Sequence, residues 1–401
     1  MWAHVYPFIK EKEKMLAMKP GQKVNKFPGL GLITSKSILS TSGVKNIPKA
    51  FKIPAEKEKF LEFAKEHPEK MFLKKNNGHR GVKILKPENL ETAIEKQGSF
   101  LVQEFIHNPL LVDGYKLMDI GIYTTVTSVD PLRIYVHNNE VALRFCPTKY
   151  HPFDPEITKK YAVGDDYLPS WEVPSFKKYM NGKTGFGRRD TLNAYIINEL
   201  NRDPDPMWEE IYSTIIAVYL NKEKQISDLV RKFPHKDAFF EMVRFDILVD
   251  EELNVHLIEA NMSPNLSTHH LSANAGMYRE VIDALLRLVG AIGVGQHGQL
   301  DTVQEKDVLV SPELCSQECP CSQEKCQLCR QCLSTEELGT MKNAFMERRN
   351  QGQMLRIFPP PVKRSDLTLE SNMMERMSPA NRKMTRWYRE KCKMDRVWCD
   401  E

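Results

Sequence analysis

Two acids and an amide stand at a spacing that suits a hard metal ion. They are Asp246, Glu259 and Asn261, in the stretch Glu241–Leu266 that reads EMVRFDILVDEELNVHLIEANMSPNL. Alternating apolar runs flank the polar turn Glu251–Asn254, which is the pattern of a β-hairpin. If Asp250 pairs with Val255, Asp246 lies directly opposite Glu259, and Arg244 lies opposite Asn261. Side chains alternate along a strand, so these four share one face. Phe245, Ile247, Val249, Ile258 and Ala260 then share the other face as a core surface. Facing carboxylates repel unless a cation sits between them. Two carboxylates and an amide oxygen are hard ligands of the kind Mg2+ takes beside phosphate oxygens. The same spacing also fits a hairpin whose acids remain in solvent.

A second set of residues could hold phosphate. Lys74 ends the apolar run Met71-Phe72-Leu73 and precedes the loop Lys75–Gly81, in which Arg80 stands next to Gly81. Two cations and several backbone N–H groups there could surround a triphosphate. Neither a Walker pattern nor GxGxxG occurs, so a P-loop or Rossmann site has no support. In the apolar run 100–106, the backbone around Gln103 and Glu104 could meet an adenine edge, with Leu101 and Phe105 as apolar walls. Each element taken alone also fits a plain surface hairpin or a core strand.

The elements that must position these residues are legible in outline. Helices are expected from Ala55 to His67, from Pro87 to Gln97, from Asp205 (cap) through Tyr219, and near 277–290. Strands are expected at 71–74, 82–85, 100–106, within 119–145, and at 241–249 and 255–261. Residues 151–190 read as irregular, and Gly290–Gly298 as a linker. Sheets and helices without regular βαβ alternation indicate an α+β architecture. The 401 residues, 41% hydrophobic with a mean hydropathy of −0.46, suit two or three compact units. No stretch approaches the ~18 apolar residues of a membrane span, and residues 1–20 lack the pattern of a secretory signal.

Charge and cysteine are concentrated toward the C-terminus. Residues 341–401 hold 14 Lys+Arg against 8 Asp+Glu, which reads as a solvated basic tail or a seat for an acidic partner. No aromatic-interleaved nucleic-acid motif accompanies it. Six of nine cysteines fall between Cys315 and Cys332. Cys326, Cys329 and Cys332 could bind Zn2+ with one of Cys315, Cys319 or Cys321, and the six could equally form three disulfides. The sequons Asn261-Met-Ser263 and Asn265-Leu-Ser267 fall at the candidate metal site, where a glycan would remove a ligand. The expected location is therefore cytoplasmic.

Seven elements in one order resemble the tubulin tyrosine ligase-like family across roughly residues 2–290. They are QKVNKFPG (22–29), FLKKNNGHRG (72–81), VQEFI (102–106), PLLVDGYKLMD (109–119), SVDPLRIY (128–135), VALRF (141–145) and MVRFDILVD with LIEANMSPNL (242–266). The resemblance implies an ATP-grasp fold, in which two α+β subdomains clamp ATP–Mg2+, and a ligase that joins an amino acid, glutamate above all, to carboxylates of tubulin's acidic tail. It makes Lys36, Lys74 and Arg80 phosphate-side cations, and Gln103, Glu104, Phe105 and Ile106 the adenine hinge. It places Lys116 and Asp119 in a Lys-Phe-Asp-Leu-Arg motif, Arg144 near the γ-phosphate, and Asp246, Glu259 and Asn261 on Mg2+; the expected catalytic residues are Arg144, Lys116 and Arg244. The divisions it suggests are a partial N-terminal domain (1–55), a central subdomain (56–107), a C-terminal subdomain with the metal site (108–292), a linker with the cysteine cluster (293–340) and a basic helical tail (341–401). Three features depart from the family: an extra residue separates Lys116 from Asp119, Gly121 stands where most members have Arg, and 150–175 lacks the His-x-Thr-Asn stretch. An ATP-binding protein of the same fold without transfer activity is the alternative.

Overall fold

The computed structural model describes residues 1–75, 82–86, 90–95, 98–164, 166–180, 187–269, 271–292, 303–316, 318–366, 374 and 376–400. Its strands are β1 (Ala50–Ile53), β2 (Met71–Lys75), β3 (Val82–Leu85), β4 (Phe100–Phe105), β5 (Leu111–Val112), β6 (Tyr115–Val129), β7 (Leu132–His137), β8 (Ala142–Lys149), β9 (Leu168–Pro169), β10 (Glu241–Val249), β11 (Val255–Met262) and β12 (Met354–Phe358). The helices that matter most here are α1 (Lys57–Glu66), α2 (Arg188–Leu200), α3 (Asp205–Val230), α4 (Ala275–Leu288), α5 (Thr335–Arg349) and α6 (Pro379–Met394).

The smaller sheet runs β1-β4-β2-β3, with antiparallel pairings. Phe60 and Ala64 of α1 close one face of it, against Phe51, Phe72 and Val102. The division at residue 55 does not hold for this sheet, because β1 forms its edge beside β4. The larger sheet runs β11-β10-β6-β7-β12, with β8 also on β6. Its long strand β6 begins at Tyr115, four residues before the expected start, and is buried along most of its length. Helix α3 seals one face, with Ile211, Ile215, Val218 and Tyr219 against Val243, Phe245 and Ile247. Its cap is Pro204, one residue earlier than expected. On the other face, Met277, Val281 and Leu285 of α4 pack on Tyr123 and Met242. That face is left polar beside α4, and there the candidate site lies.

The C-terminal segment is a packed unit and not a solvated tail. Trp387, Tyr388 and Trp398 form its core with Leu338, Met341 and Val308. Helix α5 runs across the expected division at 340/341, so the two sides are one unit. Strand β12 extends the large sheet at β7, and Glu347 of α5 receives two hydrogen bonds from buried Arg133 (2.7 and 2.9 Å) and one from Tyr135 Oη (2.9 Å). Much of the expected linker 290–298 lies outside the described residues.

The zinc reading of Cys326, Cys329 and Cys332 is corrected by the pairing. Cys315–Cys329, Cys319–Cys326 and Cys321–Cys332 are disulfides, as is Cys392–Cys399, and Cys146 is buried and free. A sulfur held in a disulfide has no thiolate to give a metal. Among the described residues no three His, Cys, Asp or Glu side chains gather as a metal cluster. Disulfides form and persist in oxidising surroundings, so four of them stand against the cytoplasmic expectation. Among the described residues no helix is long and apolar enough to cross a membrane.

Candidate functional site

A cleft of about 710 Å3 opens between the two sheets. Its floor is the hairpin β10–β11. The register there pairs Arg244 with Asn261 and Asp246 with Glu259, the two pairs on which the metal reading depends. Toward the turn the register shifts by one, so that Val249, and not Asp250, faces Val255. A bulge between Asp246 and Ile247 absorbs the difference, since Ile247 pairs with Leu257 and leaves Ile258 without an opposite number. This corrects the expected core face: Leu257 enters the core, and Ile258 turns to line the cleft.

The hairpin's polar groups converge. The amide Nδ2 of Asn261 donates to Asp246 Oδ2 (2.9 Å) and to Glu259 Oε1 (3.0 Å). Arg244 donates twice to Asp246 (2.6 and 2.9 Å), and Arg144 donates to Asp246 (2.9 Å) and twice to Asp119 (2.8 and 2.6 Å). Lys36 lies 3.2 Å from Glu259. Asp246 is only 1% exposed. Burial pushes its carboxyl up to about 6 against the pull of Arg244 and Arg144. Glu259 resists the same effect of burial, because Lys36 and the Asn261 hydrogen bond hold it down to about 2. Two carboxylates paired across the hairpin, each within 3 Å of one amide, are a donor set that fits a hard divalent cation, since an amide offers oxygen on one side and N–H on the other.

Above the floor, two lysines face the cleft, Lys116 buried and Lys75 half-buried. Lys75 of β2 donates to Gln103 Oε1 (2.6 Å), and Lys116 of β6 donates to the Tyr161 carbonyl (3.3 Å). Both partners are neutral oxygens, and burial lowers each ammonium to about 8. A buried cation held by neutral groups is a seat for an anion, because an anion offsets the desolvation that the fold has imposed. The sequence reading named Lys74 for this role and missed Lys75. The Lys74 ammonium lies 3.8 Å from the centroid of Phe100, outside the cleft lining. Strand alternation explains this, because Phe72 packs on α1 from one face and Leu73 and Lys75 line the cleft from the other. Arg80 lies outside the described residues.

The segment 103–106 lines the cleft where the adenine hinge was expected. Gln103 donates to the Pro48 carbonyl (3.1 Å), and Glu104 pairs with Lys70. Phe105 stacks with Phe153 (5.8 Å) and meets Tyr161 edge-on (5.9 Å). The sequence did not single out Arg188, which reaches the cleft from α2 through hydrogen bonds to Glu140 (2.9 Å) and Asn274 (3.2 Å). Its helix begins inside the stretch 151–190, whose sequence reads as irregular.

A mixed α/β chain with a buried polar cleft between two sheets is the class of protein defined so far. The profile of the Tubulin-tyrosine ligase family matches residues 13–296. The chain is 37% identical over its whole length to the probable tubulin polyglutamylase ttll-15 of Caenorhabditis elegans, covering 78% of that protein. It is 27% identical to the tubulin polyglutamylase TTLL7 of Xenopus tropicalis and 29% identical to the human tubulin polyglutamylase TTLL6, over 64% and 68% of this chain. It spans about a third of those two longer relatives, 30% and 31% of their lengths. The chain belongs to the tubulin-tyrosine ligase family.

Proposed function

We propose that this chain is an ATP- and Mg2+-dependent ligase that forms an amide between glutamate and a glutamate side chain of an acidic protein tail such as tubulin's. The observation that carries this reading is the Asp246–Glu259–Asn261 group facing Lys75 and Lys116 across one cleft. The fold is read as ATP-grasp, with β1–β4 and α1 as the central subdomain and the β6–β11 sheet as the C-terminal one. Bound Mg2+ would offset charge on the phosphates, held by Asp246, Glu259 and Asn261. Lys75, Lys116, Lys36 and Arg144 would hold the triphosphate oxygens, and the 103–106 segment the base. The acceptor carboxylate attacks the γ-phosphorus of ATP, releasing ADP and leaving an acyl phosphate. The incoming amine then displaces phosphate, and the amide forms with loss of a proton. What the residues contribute is charge in a water-poor cleft, aimed where phosphoryl oxygens gather charge.

The test is incubation with ATP, Mg2+, labelled glutamate and tubulin. Label is expected in protein with the wild type and less than about a hundredth as much with Glu259→Gln, since removing one transition-state electrostatic partner costs on the order of a hundredfold. Equal incorporation by both would overturn the reading. ATP binding without incorporation into any acceptor would make the chain a nucleotide-binding protein.

The four disulfides favour a second reading of the acceptor, an acidic protein of an oxidising compartment in place of tubulin. The same assay, with a Glu-rich secreted protein run beside tubulin, separates the two.

A further inference from the structure

Gly121 lies in the middle of β6, paired with Asp246 of β10 on one side and Ala142 of β8 on the other. Its φ is not in the left-handed region, so no turn requires glycine there. The requirement is space. A methyl group built on Gly121 would stand 2.8 Å from Arg244 Cδ, 3.2 Å from Arg244 Nε and 2.9 Å from Ala142 Cβ. Carbon atoms do not approach so closely, so any side chain at 121 would evict the Arg244 arm or part the strands. The Arg244 arm that fills this space comes from the neighbouring strand and ends in two hydrogen bonds to Asp246.

We propose that Gly121 and Arg244 form one device. The absent side chain is a slot across β6, and Arg244, a positioning residue, lies in it to fix the Asp246 carboxylate and set a second guanidinium beside Arg144. Arg244 in this slot thereby sets a guanidinium at the floor of the cleft from β10, the strand beside β6. The purpose given to Asp246 here rests on the ligase reading above, whereas the slot itself does not.

The test is a double-mutant cycle of Gly121→Ala and Arg244→Ala, built on Ala142→Gly so that only the Arg244 contact is read. Calorimetry gives the ATP–Mg2+ affinity of each protein, thermal melting checks its fold, and the transfer assay splits kcat from KM. Each single variant is expected to lose about tenfold or more in affinity, with the double variant no worse than the poorer single one. Additive losses would overturn the proposal. A transplant supplies the second arm: Gly121→Arg with Arg244→Gly, on the same background. Its affinity and kcat are expected to return to within about tenfold of the parent, while Arg244→Gly alone stays low. A transplant that melts like the parent but regains neither would also overturn the proposal. A wild type that binds ATP–Mg2+ without transferring glutamate would sink the ligase reading and leave the cycle readable in affinity.

Discussion

Lys74 and Lys75 are adjacent and chemically identical, yet the fold gives them different work. Lys75 enters the cleft with a neutral partner at 2.6 Å, and Lys74 sits over Phe100. The sequence made a lysine in this strand legible but not which one, because that depends on the face Phe72 takes against α1. A phosphate-bound ammonium contributes about 1.5–3 kcal/mol, or roughly 10–100-fold in affinity. Lys75→Met is accordingly expected to weaken ATP binding by that factor, and Lys74→Met to change it by less than about twofold. Calorimetric titration of the two variants side by side checks this, and a larger loss from Lys74→Met would return the phosphate role to that residue. Asp246, Glu259 and Asn261 were legible at this scale because period-two alternation around a polar turn places them on one face whatever the rest of the chain does.

At the scale of elements, the bulge between Asp246 and Ile247 was invisible in the sequence. An extra residue on one strand leaves the apolar alternation readable on both sides, so the pairing predicted at the turn slips by one while the pairing at the acids survives. The C-terminal unit was illegible for another reason. Its basic composition reads as solvated, and its core comes from a few large residues far apart, notably Leu338, Trp387 and Trp398. Spacing alone could not choose between zinc and disulfides for Cys315–Cys332, since either needs only that the sulfurs meet. Bridges closing loops with separations of 7 to 14 residues contribute about 2–4 kcal/mol each. Non-reducing peptide mapping is therefore expected to find these four pairs, and dithiothreitol to lower the melting temperature of the folded protein. Stoichiometric zinc with eight free thiols would contradict both the pairing and the location drawn from it.

At the scale of the molecule, the two sheets make a single cleft because each closes its apolar face elsewhere. Helix α1 covers the small sheet and α3 the large one, so polar faces are left to meet. The C-terminal unit adds β12 at β7, and Glu347 ties it to Arg133 and Tyr135, away from the cleft lining. What remains at the centre is two acids and an amide on one hairpin facing cations on two strands. The most direct measurement is ATP affinity with and without Mg2+, for the wild type and for Glu259→Gln. The wild type is expected to gain about tenfold or more from Mg2+, and Glu259→Gln to bind ATP alone but lose that gain. A Glu259→Gln protein that gains as much from Mg2+ as the wild type would contradict the account.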